Sequence, residues 1–230
     1  MELVLMNKLI KDLQHRHLVW HGGIKTPEPN LESSGYLELD QHLNGGLIKA
    51  GAIEILTETS IGELRLLLPT LTADPERLLI FINPPGNVSA TMLASQGIDL
   101  QQVIVINPDK EKDALWSAEE CLKSGTCGSV LIWLDQAIEI HQVKRLQLAA
   151  EKGASRVFML RQKRYETLSL PLDLSMSLTA SPSGIDAQIN KRKRGWPSKA
   201  FHIDMQHHWP TLTLGKIPDN LVYFPTTKVS

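Results

Sequence analysis

The stretch Ser34–Leu71, SGYLELDQHLNGGLIKAGAIEILTETSIGELRLLLPTL, sets the frame for the whole chain. Leu37, Leu39 and Leu43 form the apolar side of a short helix, Gly45-Gly46 turns the chain, and Ala52–Leu56 reads as a buried strand. A loop from Thr57 to Ile61 follows, then a helix from Gly62 to about Thr72. Strand, loop and helix in that order have the layout of a phosphate-binding loop. The chemistry of such a loop needs a glycine, four residues, Gly-Lys and then Ser or Thr. Backbone N–H groups wrap the phosphates, the lysine supplies a point charge and the hydroxyl holds Mg²⁺. Here Thr57 takes the first glycine, Gly62 fits the second, Glu63 takes the lysine and Leu64 takes the hydroxyl. Two like charges about 4 Å apart cost roughly 4 kcal/mol at an effective dielectric near 20, so a carboxylate here repels a phosphate. The expectation is a scaffold retained without its nucleotide: no cofactor, no metal, no catalytic residue and no enzyme activity.

At 230 residues the chain can form one α/β domain with a sizeable core and some added elements. Its net charge of −1 gives no global field toward nucleic acid or membrane, so such contacts must be local. Two cysteines, Cys121 and Cys127, are too few for a disulfide framework or a four-cysteine metal site and read as buried thiols. The longest apolar run, Leu64–Leu71, falls short of the roughly 18 residues a membrane span needs. Lys8, Lys11, Asp12 and His15 interrupt the amino terminus, unlike a signal peptide, so a cytoplasmic location is expected.

Residues 1–23 read as an amphipathic helix, with Leu3, Met6, Leu9, Ile10, Leu13 and His17 at helical spacing and Gly22-Gly23 ending it. Its stripe packs either on its own domain or in a neighbouring subunit or partner groove, which would give self-association. His17 and His21 lack a carboxylate or cysteine to complete a metal site. Residues 24–33, with two prolines and no periodicity, read as a linker. From 34 to 165 strands and helices alternate. The apolar runs Leu78–Ile82, Val103–Ile106, Ser129–Leu134 and Arg156–Leu160 read as buried parallel strands. Helices fall between them at about Ser89–Gln96, Glu111–Lys123 and His141–Lys152, with Trp116 as a core aromatic. Residues 166–230 change character: Leu170, Leu172, Leu174, Met176 and Leu178 alternate with polar residues or proline, the period of a half-exposed antiparallel strand. Ile185–Ile189 and Phe201–Met205 flank Lys191, Arg192, Lys193, Arg194 and Trp196, which reads as a basic hairpin tip. Four such charges on DNA phosphates would give a log-log salt slope near −3.6, about 0.9 per phosphate. Trp196 stacked on an unpaired base would add roughly 1–3 kcal/mol. The alternatives are an acidic partner and a solvated turn. His202, His207 and His208 suggest a metal only weakly and read as loop or edge residues, and the tail 216–230 as loosely ordered or docked on a partner.

The run from Ser34 to Leu56 resembles the entry to the ATPase core of the RecA family, in which a Gly-Gly turn and a Gly-x-Ile-x-Glu-Ile strand lead into the phosphate loop. TSIGELRLLLPTL resembles two ATPase-dead relatives of that family: ImuA proteins, accessory to mutagenic translesion synthesis, and the shorter SulA cell-division inhibitors. GIDLQQVIVINPDKEKDALWSAEECLKSG keeps the order of the RecA core, Ala114–Trp116 adds a point of similarity to ImuA, and KRKRG-W-P resembles a basic segment near the carboxyl end of ImuA. The resemblance implies a RecA-like core, a mainly parallel sheet flanked by helices with antiparallel strands added at one edge. It also implies that Pro85 stands where a water-activating glutamate would be and Trp133 where a Mg²⁺-contacting aspartate would be; Asp135, two residues on, reaches that place only in a slipped strand and reads as a capping or structural carboxylate. An ImuA-like role implies docking of an ImuB-type polymerase-like protein, with RecA and DNA as further partners and no membrane. A SulA-like role implies binding of the division protein FtsZ.

Overall fold

The computed structural model describes residues 30–58, 61–163 and 170–210, and the structural statements below concern these. The amphipathic helix expected over 1–23, the first part of the linker and the tail beyond 210 lie outside them. Strand β1, Leu31–Glu32, pairs antiparallel with β2, Leu47–Ile48, on either side of helix α1, Leu37–His42. The carboxyl end of the expected 24–33 linker is therefore a short strand. Leu39 and Leu43 are buried, but Leu37 is 70% exposed. At about 100° per residue, positions 37 and 39 lie on opposite sides of a helix, so both cannot face one core.

The main elements follow in order: β3 Gly51–Leu56, α2 Glu63–Leu71, β4 Leu78–Ile82, α3 Ala90–Ser95, β5 Val103–Ile106, α4 Glu111–Lys123, β6 Cys127–Leu134, α5 Ile140–Lys152, β7 Arg156–Arg161, β8 Leu174–Ser181, β9 Gly184–Arg192 and β10 Phe201–Asp204. The strands make one sheet in the order β10-β9-β8-β3-β7-β6-β4-β5. From β8 through β5 every pairing is parallel, while β9 and β10 add antiparallel at one edge. Alternate residues of each central strand feed two separate cores. Ile53, Ile55, Phe81, Leu131 and Phe158 pack with Leu39 of α1, Leu66 and Leu67 of α2 and Leu93 of α3. Ala52, Ile80, Ile82, Val130, Ile132, Val157 and Met159 pack with Ala118 and Leu122 of α4 and Val143 and Leu146 of α5. Cover on both faces is why these strands read as continuous apolar runs.

Three expectations need correction. The run Val103–Ile106 is an edge strand whose Ile104 and Val105 are 41% and 44% exposed. Trp116 is 60% exposed on α4, whose buried side is made by Ala114, Ala118 and Leu122. Strand β8, expected to be half-exposed, is buried from Leu174 through Leu178, because β3 and β9 flank it and both its faces are covered there. Only beyond Leu178 does it open to solvent. Of the two thiols, Cys127 is buried and Cys121 only partly so. No described helix is long and apolar enough to cross a membrane.

Helix α2 contains Pro69, which has no N–H to offer the carbonyl of Arg65 four residues back. The Tyr36 hydroxyl donates to that carbonyl instead, at 2.9 Å. It accepts in turn from Trp209 Nε1 at 3.2 Å, tying the chain beyond β10 to the phosphate-loop helix. Burial pushes the Tyr36 phenol above its usual range, against the Trp209 hydrogen bond and the Arg65 charge. Tyr36→Phe leaves a carbonyl and an indole N–H without this partner, so it is expected to lower unfolding stability by about 1–3 kcal/mol in urea titration.

Candidate nucleotide-loop remnant and basic hairpin

The carboxyl ends of β3, β6 and β7 and the start of α2 enclose a cleft lined by Thr57, Glu63, Trp133, Leu134, Asp135, Leu160, Arg161 and Gln162. This is where an open parallel sheet ordinarily holds a ligand. Its cavity is about 20 Å³, room for a water molecule. Gly62 enters α2 at a φ of 99°, a left-handed conformation that favours glycine. Glu63 is 5% exposed, and its Oε2 accepts from the Gly62 N–H at 3.1 Å. The carboxylate thus sits at the positive end of the helix, using an N–H of the kind that would bind a phosphate. The repulsion argued from sequence gains a second part, since the chain supplies its own anion.

Of the other residues singled out, Thr57 donates its hydroxyl to the Glu58 carbonyl at 2.8 Å, and Leu64 packs against the first core. Trp133 and Asp135 both line the cleft. Burial, then the neighbouring Asp135 carboxylate, pushes the Glu111 acid up, while Arg161 opposes the shift. Pro85 lies in the turn after β4, beyond Asn83 at φ 51°.

Sequence reasoning did not single out the charged groups beneath the cleft. Arg161 and Glu54, with side chains 0% and 2% exposed, form a buried ion pair, and the Ser175 hydroxyl donates to the other Glu54 oxygen at 2.7 Å. The pair therefore joins β7, β3 and β8. Below it, Asp173 accepts from the Ala52 N–H and Gln147 Nε2, both at 3.0 Å. A Glu inside GAIEIL was the available signal, because a charge in a buried strand needs a partner.

The hairpin is present, with β9 and β10 pairing antiparallel from Phe201↔Ala187 to Asp204↔Gly184. Its four cations do not stand together at a free tip, as the sequence had suggested. Lys191 and Arg192 are still in β9 and point to opposite faces. Lys191 Nζ donates to the Leu170 carbonyl at 2.5 Å, and Arg192 to the His42 carbonyl at 3.2 Å. Lys193 pairs with Asp173 at 3.0 Å. Arg194 turns the chain at φ 63°, and Trp196 is 87% exposed.

A family model described as Cell division inhibitor SulA matches residues 55–156. A Cell division inhibitor SulA from Photorhabdus laumondii is 31% identical over 99 residues, 42% of this chain and 55% of that protein. Protein RecA from Nostoc punctiforme is 29% identical over 128 residues, 54% of this chain and 34% of that protein. The chain thus spans about half of the SulA relative and a third of the RecA relative. The crystal structure of the RadB recombinase aligns over 73% of this chain and 93% of that one, with a TM-score of 0.58 and 16% identity. By sequence the chain is related to RecA and SulA proteins, and its architecture is a RecA-like fold.

Proposed function

We propose that the chain is a RecA-fold adaptor of the ImuA kind, acting in the DNA-damage response in mutagenic translesion synthesis by docking rather than by catalysis at the nucleotide site. The observation that carries this reading is Glu63: its carboxylate takes the Gly62 N–H at the start of α2, where a nucleotide's phosphate would need donors and a cation. A RecA fold without that chemistry offers surfaces rather than turnover. The partner is an ImuB-type polymerase-like protein, with RecA as a second contact and DNA reached through Arg192, Arg194 and Trp196. The SulA-like reading, inhibition of FtsZ, draws on the family match over residues 55–156. The hairpin β9–β10 with its exposed Trp196 lies beyond that match and favours the adaptor.

The test is capture by the immobilised full chain. The adaptor reading expects an ImuB-type protein to be retained and FtsZ polymerisation to proceed at its normal rate, and the reverse pattern overturns it. Replacing Arg192, Arg194 and Trp196 together by alanine is expected to weaken binding of a short single strand by about tenfold or more, since one base stacked on an aromatic ring is worth about 1–3 kcal/mol.

A further inference from the structure

At the far end of the hairpin from Trp196, three side chains fall into line. Asp186 and His202 are direct cross-strand neighbours on β9 and β10, and residues so paired face the same side of a sheet. His202 Nδ1 lies 2.7 Å from Asp186 Oδ1, and His202 Nε2 lies 2.8 Å from Ser183 Oγ. An ionised carboxylate only accepts, so Nδ1 carries the proton. With Nδ1 protonated, the neutral form of the ring has Nε2 as an acceptor, to which the serine hydroxyl donates. The backbone holds this order. Met205 N–H donates to the Ser183 carbonyl at 3.0 Å, and Gly184 packs so closely on β10 that a Cβ there would lie 2.0 Å from the Ile203 carbonyl oxygen. His202 and Asp186 are 40% and 48% exposed, so the group is open to a reagent from solution.

We propose that Ser183 is an activated nucleophile toward small activated carboxylic esters, with His202 as its base and Asp186 as the positioning residue. Nucleophile, base and orienting acid within hydrogen-bond reach are the geometry that activates a serine, recognised by roles rather than by position in the chain. In the acylation step the Ser183 Oγ–H proton passes to His202 Nε2 as Oγ bonds the ester carbonyl carbon. The carbon–oxygen bond to the alcohol then breaks, and the leaving oxygen takes the proton from His202. Water repeats the exchange in reverse roles, releasing the carboxylic acid and restoring the serine. The site is separate from the cleft at α2, and this inference does not depend on the adaptor reading.

The experiment incubates the full chain with p-nitrophenyl acetate and follows acetylation of individual peptides by mass spectrometry. Ser181, two residues away at the end of β8, serves as the internal reference. Ser183 is expected to acetylate at least tenfold faster than Ser181. His202→Gln is expected to remove most of that excess, general-base assistance being worth about 10²–10⁴-fold. Asp186→Asn lowers the rate and Asp186→Glu restores part of it, while both keep the melting temperature of the parent. Equal rates at Ser183 and Ser181 in the parent chain overturn the proposal, and so does an unchanged Ser183 rate in His202→Gln; the parent-chain comparison stands even where a variant folds poorly.

Discussion

Arg161→Met is expected to destabilise the chain by about 3–5 kcal/mol, a large part of the stability of a domain this size. The methionine fills the space of the arginine stem but leaves the Glu54 carboxylate, 2% exposed, without its guanidinium inside the sheet. Ser175 still donates to it, and one neutral hydrogen bond does not replace a charge partner. Replacing both members, Glu54→Leu with Arg161→Met, removes two desolvated charges together and should recover most of the loss. Urea denaturation of the two single variants and the double variant closes a cycle, in which a strongly negative interaction energy is expected. A single-variant cost below about 1 kcal/mol would mean that solvent reaches the pair.

Phe158→Ala should cost a comparable amount, about 3–5 kcal/mol. Phe158 is 0% exposed on β7, flanked by β3 and β6, and belongs to the core that α1, α2 and α3 cover. Arg156 also places its guanidinium carbon 5.8 Å from the ring centroid, so the truncation opens a cavity beside a buried cation. Trp116→Ala is the matched control. The larger ring is 60% exposed, and its removal should change stability by no more than about 0.5 kcal/mol. The same urea titration reads both.

These two residues show what the sequence carries. Four continuous apolar runs between helices marked out parallel strands, and in three of them the reason is cover on both faces, which leaves no polar side. The strand, loop and helix order at 52–71 followed from local pattern alone. The order of strands across the sheet is not a local property, and VIVI at 103–106 reads the same at an edge as in the middle. Trp116 was read as a core aromatic, yet small residues on α4 already fill the contact with the sheet. The basic cluster misled for a related reason. Four adjacent charges look like one patch, whereas a strand sends neighbours to opposite faces and Lys193 finds an acid twenty residues away. Glu54 and Arg161 are 107 residues apart and meet only once β3 and β7 are side by side.

Glu63 is expected to close the start of α2 to a nucleotide, its carboxylate holding the Gly62 N–H. Equilibrium titration calorimetry of the full chain with ATP and Mg²⁺ tests this most directly. The prediction is no saturable heat, with ATP left intact afterwards. Saturable binding, or hydrolysis lost when Gly62 is replaced, would contradict it.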